Sequence, residues 1–128
     1  MIVDTSAILA IVFQESGYED VLDRILSASV AAAGSPTLAE AGIVLHARLG
    51  AGAPGLLERL LDELAIEEIS FGSVHWREAV EAYRRFGKGQ DPAGLNFGDC
   101  LTYAVAHLSG EPLLFVGEDF SQTDLESA

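Results

Sequence analysis

Met1-Ile2-Val3-Asp4-Thr5-Ser6 is a short apolar run that ends in a carboxylate followed by two hydroxyls. Such a run reads as a buried strand that delivers an acid to a loop. In an open α/β sheet, ligands are met beyond the carboxyl ends of the strands, so Asp4 stands where chemistry is usually done. Asp4 or Ser6 also suits a helix cap, with a side-chain oxygen taking the free N–H groups of the apolar segment Ala7 to Phe13. Further acids at Glu40, Asp99 and the pair Glu118/Asp119 recur at comparable places along the chain and favour a shared site.

Working outward from that strand, Thr5 to Gln14 reads as a short helix, and Gly17 breaks the chain before a second one. There Val21, Leu22, Ile25 and Leu26 share a face while Glu19, Asp20 and Asp23 face water. Val30 to Ala33 is a second strand, and Ser35-Pro36 opens a third helix that runs to Leu49. That helix is apolar almost all round, which predicts that it is largely buried and that Glu40, on a face with Ile43, Val44 and Ala47, points into a mostly dry place. An unpaired charge in such a place needs a cation, a metal or a proton. The structural alternative, a pair with Arg48, has to span about two turns.

Leu56 to Leu64 makes a fourth helix, Ile66 to Phe71 a strand with its acids outward, and Val74 to Phe86 a fifth helix. The pattern predicts that the fifth helix buries Trp76, Ala79, Val80, Tyr83 and Phe86. Its other side carries Arg77, Arg84 and Lys88, with Arg85 beside them. Gly87 to Gly94 is a flexible-looking loop. Asn96 then caps the last long helix, with Asp99 at the third position, where an acid completes a capping box and meets the helix dipole favourably. Gly98 leaves room beside it. Pro112 to Val116 is a final buried strand that also ends in acids, Glu118 and Asp119, with Asp124 five residues on.

Strands alternating with helices predict a parallel α/β sheet with helices on both faces, and 128 residues suit a single domain over 1–128. No apolar run approaches the ~20 residues needed to cross a bilayer, and no basic stretch precedes the first apolar run, so a cytoplasmic protein without membrane contact is expected. The single cysteine, Cys100, rules out an internal disulfide and suits core filling. The net charge of −13 argues against simple electrostatic attraction to nucleic acid. Right-handed crossovers bring Asp4 and Glu118/Asp119 to one sheet edge, with Glu40 and Asp99 joining from early helical turns. An all-carboxylate set suits a hard cation, Mg²⁺ or Mn²⁺, which recruits phosphate to an acidic protein. Zinc is disfavoured, because the three histidines are scattered.

The stretches Ile2-Val3-Asp4-Thr5-Ser6-Ala7, Thr37-Leu38-Ala39-Glu40-Ala41, Leu95-Asn96-Phe97-Gly98-Asp99-Cys100 and Pro112 to Phe120 resemble, in order and spacing, PIN-domain proteins and more narrowly the VapC-type toxins. The resemblance spans the whole chain. It implies a three-layer sandwich and a Mg²⁺-dependent endoribonuclease that cuts structured RNA such as tRNA or rRNA. It also implies a VapB-type antitoxin as inhibitor, and a homodimer. Carried over by position, Asp4, Glu40 and Asp99 match the family's acids, with Asp4 and Asp99 as direct metal ligands. Asp119 is favoured as the fourth acid, with Glu118 and Asp124 left open. Thr5 and Ser6 are assigned to support. Arg84, Arg85 and Lys88 form the largest basic cluster and are the candidate RNA grip. A phosphatase of the haloacid dehalogenase type needs a second Asp two residues after the first, where this chain has Ser6. A non-catalytic PIN module that sequesters antitoxin or RNA is the remaining rival.

Overall fold

A computed structural model describes residues 1–128. Its centre is a four-stranded parallel sheet of β1 (Ile2–Val3), β2 (Ala31–Gly34), β3 (Ile66–Ile69) and β4 (Leu113–Leu114), in the spatial order β3-β2-β1-β4. The strands are short, and the small side chains of Ala31, Ala32 and Ala33 let helices lie close on both faces. Ile2 pairs with Ala32 on one side and Leu113 on the other. The backbone N–H of Asp4 donates to the Leu114 carbonyl at 2.9 Å and extends the β1–β4 pairing to the acid itself.

Alternation along the strands sorts the core into two layers. Val3, Ala31, Ala33, Ile66 and Leu114 point to one side. There they meet α1 (Thr5–Val12), α2 (Tyr18–Ser27), α3 (Ser35–Leu49) and α4 (Ala53–Glu63). Ile2, Ala32 and Leu113 point to the other, against α5 (Ser73–Phe86) and α6 (Phe97–Ser109). The result is the helix–sheet–helix sandwich expected from the sequence. No helix is long and apolar enough to cross a membrane.

Two burial expectations are corrected. In α3 the inward face is Thr37, Ala41 and Leu45, spaced four apart, which turns Glu40 outward and leaves Ile43 71 % exposed. In α5 only Ala79 and Ala82 are fully buried, because the helix meets the α6 layer through small side chains. Trp76, Val80 and Tyr83 stay on the surface. Gly34 is the capping position of α3, and the Ser35 hydroxyl donates to the Ile69 carbonyl at the end of β3, 3.0 Å away.

Candidate active site

Asp4 lies at the carboxyl end of β1 and is also the N-cap of α1, so it occupies both of the placements read from the sequence. Its Oδ2 accepts from the Ser6 amide (3.1 Å) and the Ser6 hydroxyl (2.6 Å). Ser6 Oγ in turn accepts from the Val116 amide at 3.0 Å, just beyond β4. One hydroxyl thus ties the acid after the first strand to the segment that carries the last acids. Thr5 Oγ1 reaches the Thr37 carbonyl at 3.4 Å and links α1 to α3.

Asp99 sits in the first turn of α6, in the capping box read from the sequence. Asn96 Oδ1 accepts from the Asp99 amide at 2.8 Å, and Asp99 Oδ2 accepts from the Asn96 amide at 3.1 Å. Glu40 reaches across from α3 toward the same turn. A Cβ at Gly98 would come within 2.8 Å of Glu40 Oε2, so glycine there makes the cradle that lets the Glu40 carboxylate lie against α6. Below this contact Thr37 and Thr102, both buried, share a hydrogen bond at 3.2 Å. Each threonine is three residues from its helix's acid and therefore on the same face. That spacing was the available signal for two supporting residues the sequence reading did not name.

The acids meet electrostatically at Asp99. Burial pushes its carboxyl up to about 6 against the helping hydrogen bond from Asn96, and the charges of Asp119, Asp4 and Glu40 push in the same direction as burial. Of the three candidates for the fourth acid, Asp119 is the one whose charge bears on Asp99. Glu118, beside it, is exposed, as Asp119 itself is. Asp124 is turned away, its carboxylate taken by the Tyr103 hydroxyl (2.7 Å) and by Arg85 (3.2 Å).

The expectation of four carboxylates gathered as a ready ligand shell is corrected. No three His, Cys, Asp or Glu side chains stand close enough together to hold a metal ion. Asp4 and Asp99 each commit one oxygen to local N–H and O–H donors. The donor set nonetheless fits a hard divalent ion. It is all oxygen, each of these two aspartates keeps a second oxygen outside those bonds, and Mg²⁺ characteristically binds through one or two carboxylates while retaining waters.

The basic cluster is mostly engaged. Arg84 makes two hydrogen bonds to Glu81, Arg85 pairs with Asp124 and lies over the Phe86 ring, and Lys88 has no salt-bridge partner. Glu78, the other acid on that side, pairs with His107 instead. Arg48 lies over the Phe13 ring and makes no pair with Glu40.

The PIN domain family profile matches residues 1–126. Ribonuclease VapC36 of Mycobacterium tuberculosis is 46 % identical over 127 residues, covering 98 % of this chain and 91 % of that protein. Two solved structures share the fold. The crystal structure of Mycobacterium tuberculosis VapC20, described as a sarcin-ricin loop cleaving toxin, superposes with a TM-score of 0.81 at 19 % identity, over 99 % of this chain and 97 % of the other. VapBC2 from Rickettsia felis, bound to a DNA fragment from its promoter, gives 0.79 at 15 % identity over 99 % and 96 %. With its order of strands, its acids at one edge of a parallel sheet and this full-length similarity, the chain belongs to the PIN-domain family and, within it, to the VapC ribonucleases.

Proposed function

We propose that this protein, acting as one PIN domain over residues 1–128, is a Mg²⁺-dependent endoribonuclease toxin. Mn²⁺ is a workable substitute. Its substrate is structured cellular RNA, tRNA or rRNA, and a VapB-type antitoxin holds it inactive in the cytoplasm. The observation that supports this reading is that burial pushes the Asp99 carboxyl up to about 6 and that the charges of Asp119, Asp4 and Glu40 all bear on it in the same direction. An acidic protein has no reason to accept that repulsion unless a cation relieves it.

Asp4 and Asp99 are the residues that would hold the ion. What Mg²⁺ supplies when bound is Lewis acidity toward a phosphoryl oxygen and a supply of hydroxide from water near neutral pH. Asp99 must give up its proton to bind, so protons and metal compete there. Ser6 fixes the rotamer of Asp4 and keeps it in register with the turn after β4. Glu40 and Asp119, whose charges both bear on Asp99, are the groups that would orient the attacking water and take its proton. Emptied of metal, the same pocket suits a guanidinium, and an antitoxin Arg or Lys directed at Asp4 and Asp99 is the expected mode of inhibition.

RNA contact falls to Lys88 and to Arg84, whose exposed pair with Glu81 is weak enough for a phosphate to displace. The homodimer is proposed from a continuous apolar surface. Trp76, Val80, Tyr83 and Phe97 rim one groove, and Phe97, Leu101, Val44 and Ile43 carry it on to Glu40. Phe97 is 79 % exposed, which is costly for a side chain of that size unless a second copy covers it.

The test is cleavage of total RNA by the purified protein with Mg²⁺ and with EDTA, alongside Asp4→Asn. Cleavage that is lost in EDTA and lost in the variant supports the reading. RNA binding with no metal-dependent cutting would instead leave a sequestering module.

A further inference from the structure

The sequence suggests that Arg85 grips RNA, yet the structure gives this arginine other work. We infer that Arg85, Asp124 and Tyr103 form a latch that positions the turn 117–124, and with it Asp119, over the acidic site, so that Arg85 is a positioning residue of the nuclease. The role of Asp119 in this inference rests on the function proposed above.

Tyr103 is the fixed end of the latch. It is fully buried, lies on α6 one turn beyond Asp99, and its ring packs between Phe86 (5.6 Å between centroids) and His107 (5.3 Å). Its hydroxyl donates to Asp124 Oδ1 at 2.7 Å. Arg85 closes the triangle, with Nη2 on Asp124 Oδ2 at 3.2 Å and Nη1 on the Tyr103 hydroxyl at 3.4 Å. The same helix therefore carries Asp99 and the anchor for the opposing acid's turn, which sets their separation.

The turn itself transmits that anchoring to Asp119. Gly117, at φ +100°, starts it with a conformation that side chains rarely adopt. The Glu118 carbonyl accepts from the amide and hydroxyl of Ser121, and the Phe120 carbonyl accepts from those of Thr123. Phe120 is buried against Phe115, 5.3 Å between ring centroids, directly next to Asp119. Charge explains why a latch is needed. Glu118, Asp119, Asp124 and Glu126 make the segment acidic, and it must be held beside Asp4 and Asp99. Arg85 is the one side-chain cation paired with a side chain of this segment. Burial alone would raise the Asp124 carboxyl, but the hydrogen bonds from Tyr103 and Arg85, with the arginine's charge, hold it below its usual range.

The experiment compares wild type, Arg85→Met, Asp124→Asn and Arg85→Lys by hydrogen exchange, by the thermal shift on adding Mn²⁺, and by RNA cleavage. In the latch, Arg85→Met and Asp124→Asn behave alike. Exchange at the Ser121 and Thr123 amides rises about three- to fivefold, the span expected for loss of a partly exposed ion pair. More Mn²⁺ is then needed for the same thermal shift, kcat falls while KM for RNA holds, and Arg85→Lys recovers most of both. If Arg85 grips RNA instead, Arg85→Met raises KM, Asp124→Asn frees the arginine and lowers KM, and neither changes exchange. That outcome overturns the latch alone. A wild type that neither shifts with Mn²⁺ nor cuts RNA overturns the proposed function, and the positioning role with it.

Discussion

Replacing Asp99 by Asn should make the metal-free protein more stable while destroying its activity, and the size of the gain follows from the site. Burial, with the charges of the neighbouring acids, pushes the Asp99 carboxyl of the folded chain up to about 6 from an ordinary value of 3.8. A raised carboxylate pKa means that the folded state keeps its proton while the unfolded state has lost it. Stability therefore falls as pH rises from about 4 to about 6 and is flat on either side. Two pH units correspond to about 3 kcal/mol, and because Asp99 is partly exposed, screening reduces this to roughly 1–2 kcal/mol. Asn has no such titration. It still offers an oxygen to the Asn96 amide, so the capping box persists with a weaker acceptor, a loss of a few tenths of a kcal/mol.

In EDTA at pH 7.5, Asp99→Asn should melt about 3–6 °C above wild type. The gap should close as pH drops below about 4, where both states of the wild type are protonated. Adding Mn²⁺ should narrow or reverse it, because the ion binds and stabilises the wild type more than the variant. Thermal melts across pH 3.5 to 8, with and without Mn²⁺, read all three effects. A gap that does not change with pH, or equal Mn²⁺ shifts in the two proteins, would refute the account of Asp99 as a crowded, cation-seeking carboxylate.

Asp4→Asn should fold normally, since Asn is as good an N-cap, and should cut RNA slower by orders of magnitude in single-turnover assays. Glu40→Gln should also be inactive, and in the monomeric Phe97→Asp background it should change the melting temperature by no more than roughly 0.5 kcal/mol implies, because the side chain is exposed in the monomer and no buried charge is relieved there. Ser6→Ala removes the bridge between Asp4 and the Val116 amide, so denaturant titration should show a loss of about 1–2 kcal/mol and cleavage should fall about tenfold. If the protein is the proposed homodimer, Phe97→Asp should convert it to monomer in light scattering while the far-ultraviolet circular dichroism stays unchanged.

Much of the site was legible because its acids double as local structural devices. Asp4 ends an apolar strand and caps the next helix, and Asp99 completes a capping box with Asn96, so propensity and chemistry point to the same residues. Asp119 was harder to pick. Glu118, Asp119 and Asp124 lie within seven residues in a turn whose path depends on Gly117, on the burial of Phe120 and on the capture of Asp124 by Tyr103, none of which follows from spacing. The pairing of Arg85 was hidden for a related reason. Periodicity places Arg84 and Arg85 on one exposed stretch, but the acid that claims Arg85 arrives from 39 residues further along the chain.

The burial errors in α3 and α5 have a single physical source, and it bears on the active site. Apolar patterning reports which side chains avoid water, and it is silent on whether the chain's own core or another surface covers them. Ile43, Trp76, Val80 and Tyr83 read as core and lie open in the monomer, beside the exposed Phe97. Glu40 opens onto the same groove as Ile43, Val44, Phe97 and Leu101. If a second copy covers that groove, as proposed, the dry setting expected for Glu40 is restored at the dimer interface rather than within the subunit. Removing water there raises the cost of leaving Glu40 and Asp99 charged side by side, and so strengthens the demand for a divalent cation between them. Dimerisation and metal binding are then linked, and Phe97→Asp should weaken the Mn²⁺ thermal shift even though residue 97 contributes no ligand. An unchanged Mn²⁺ response in a variant shown to be monomeric would separate the two and refute the linkage.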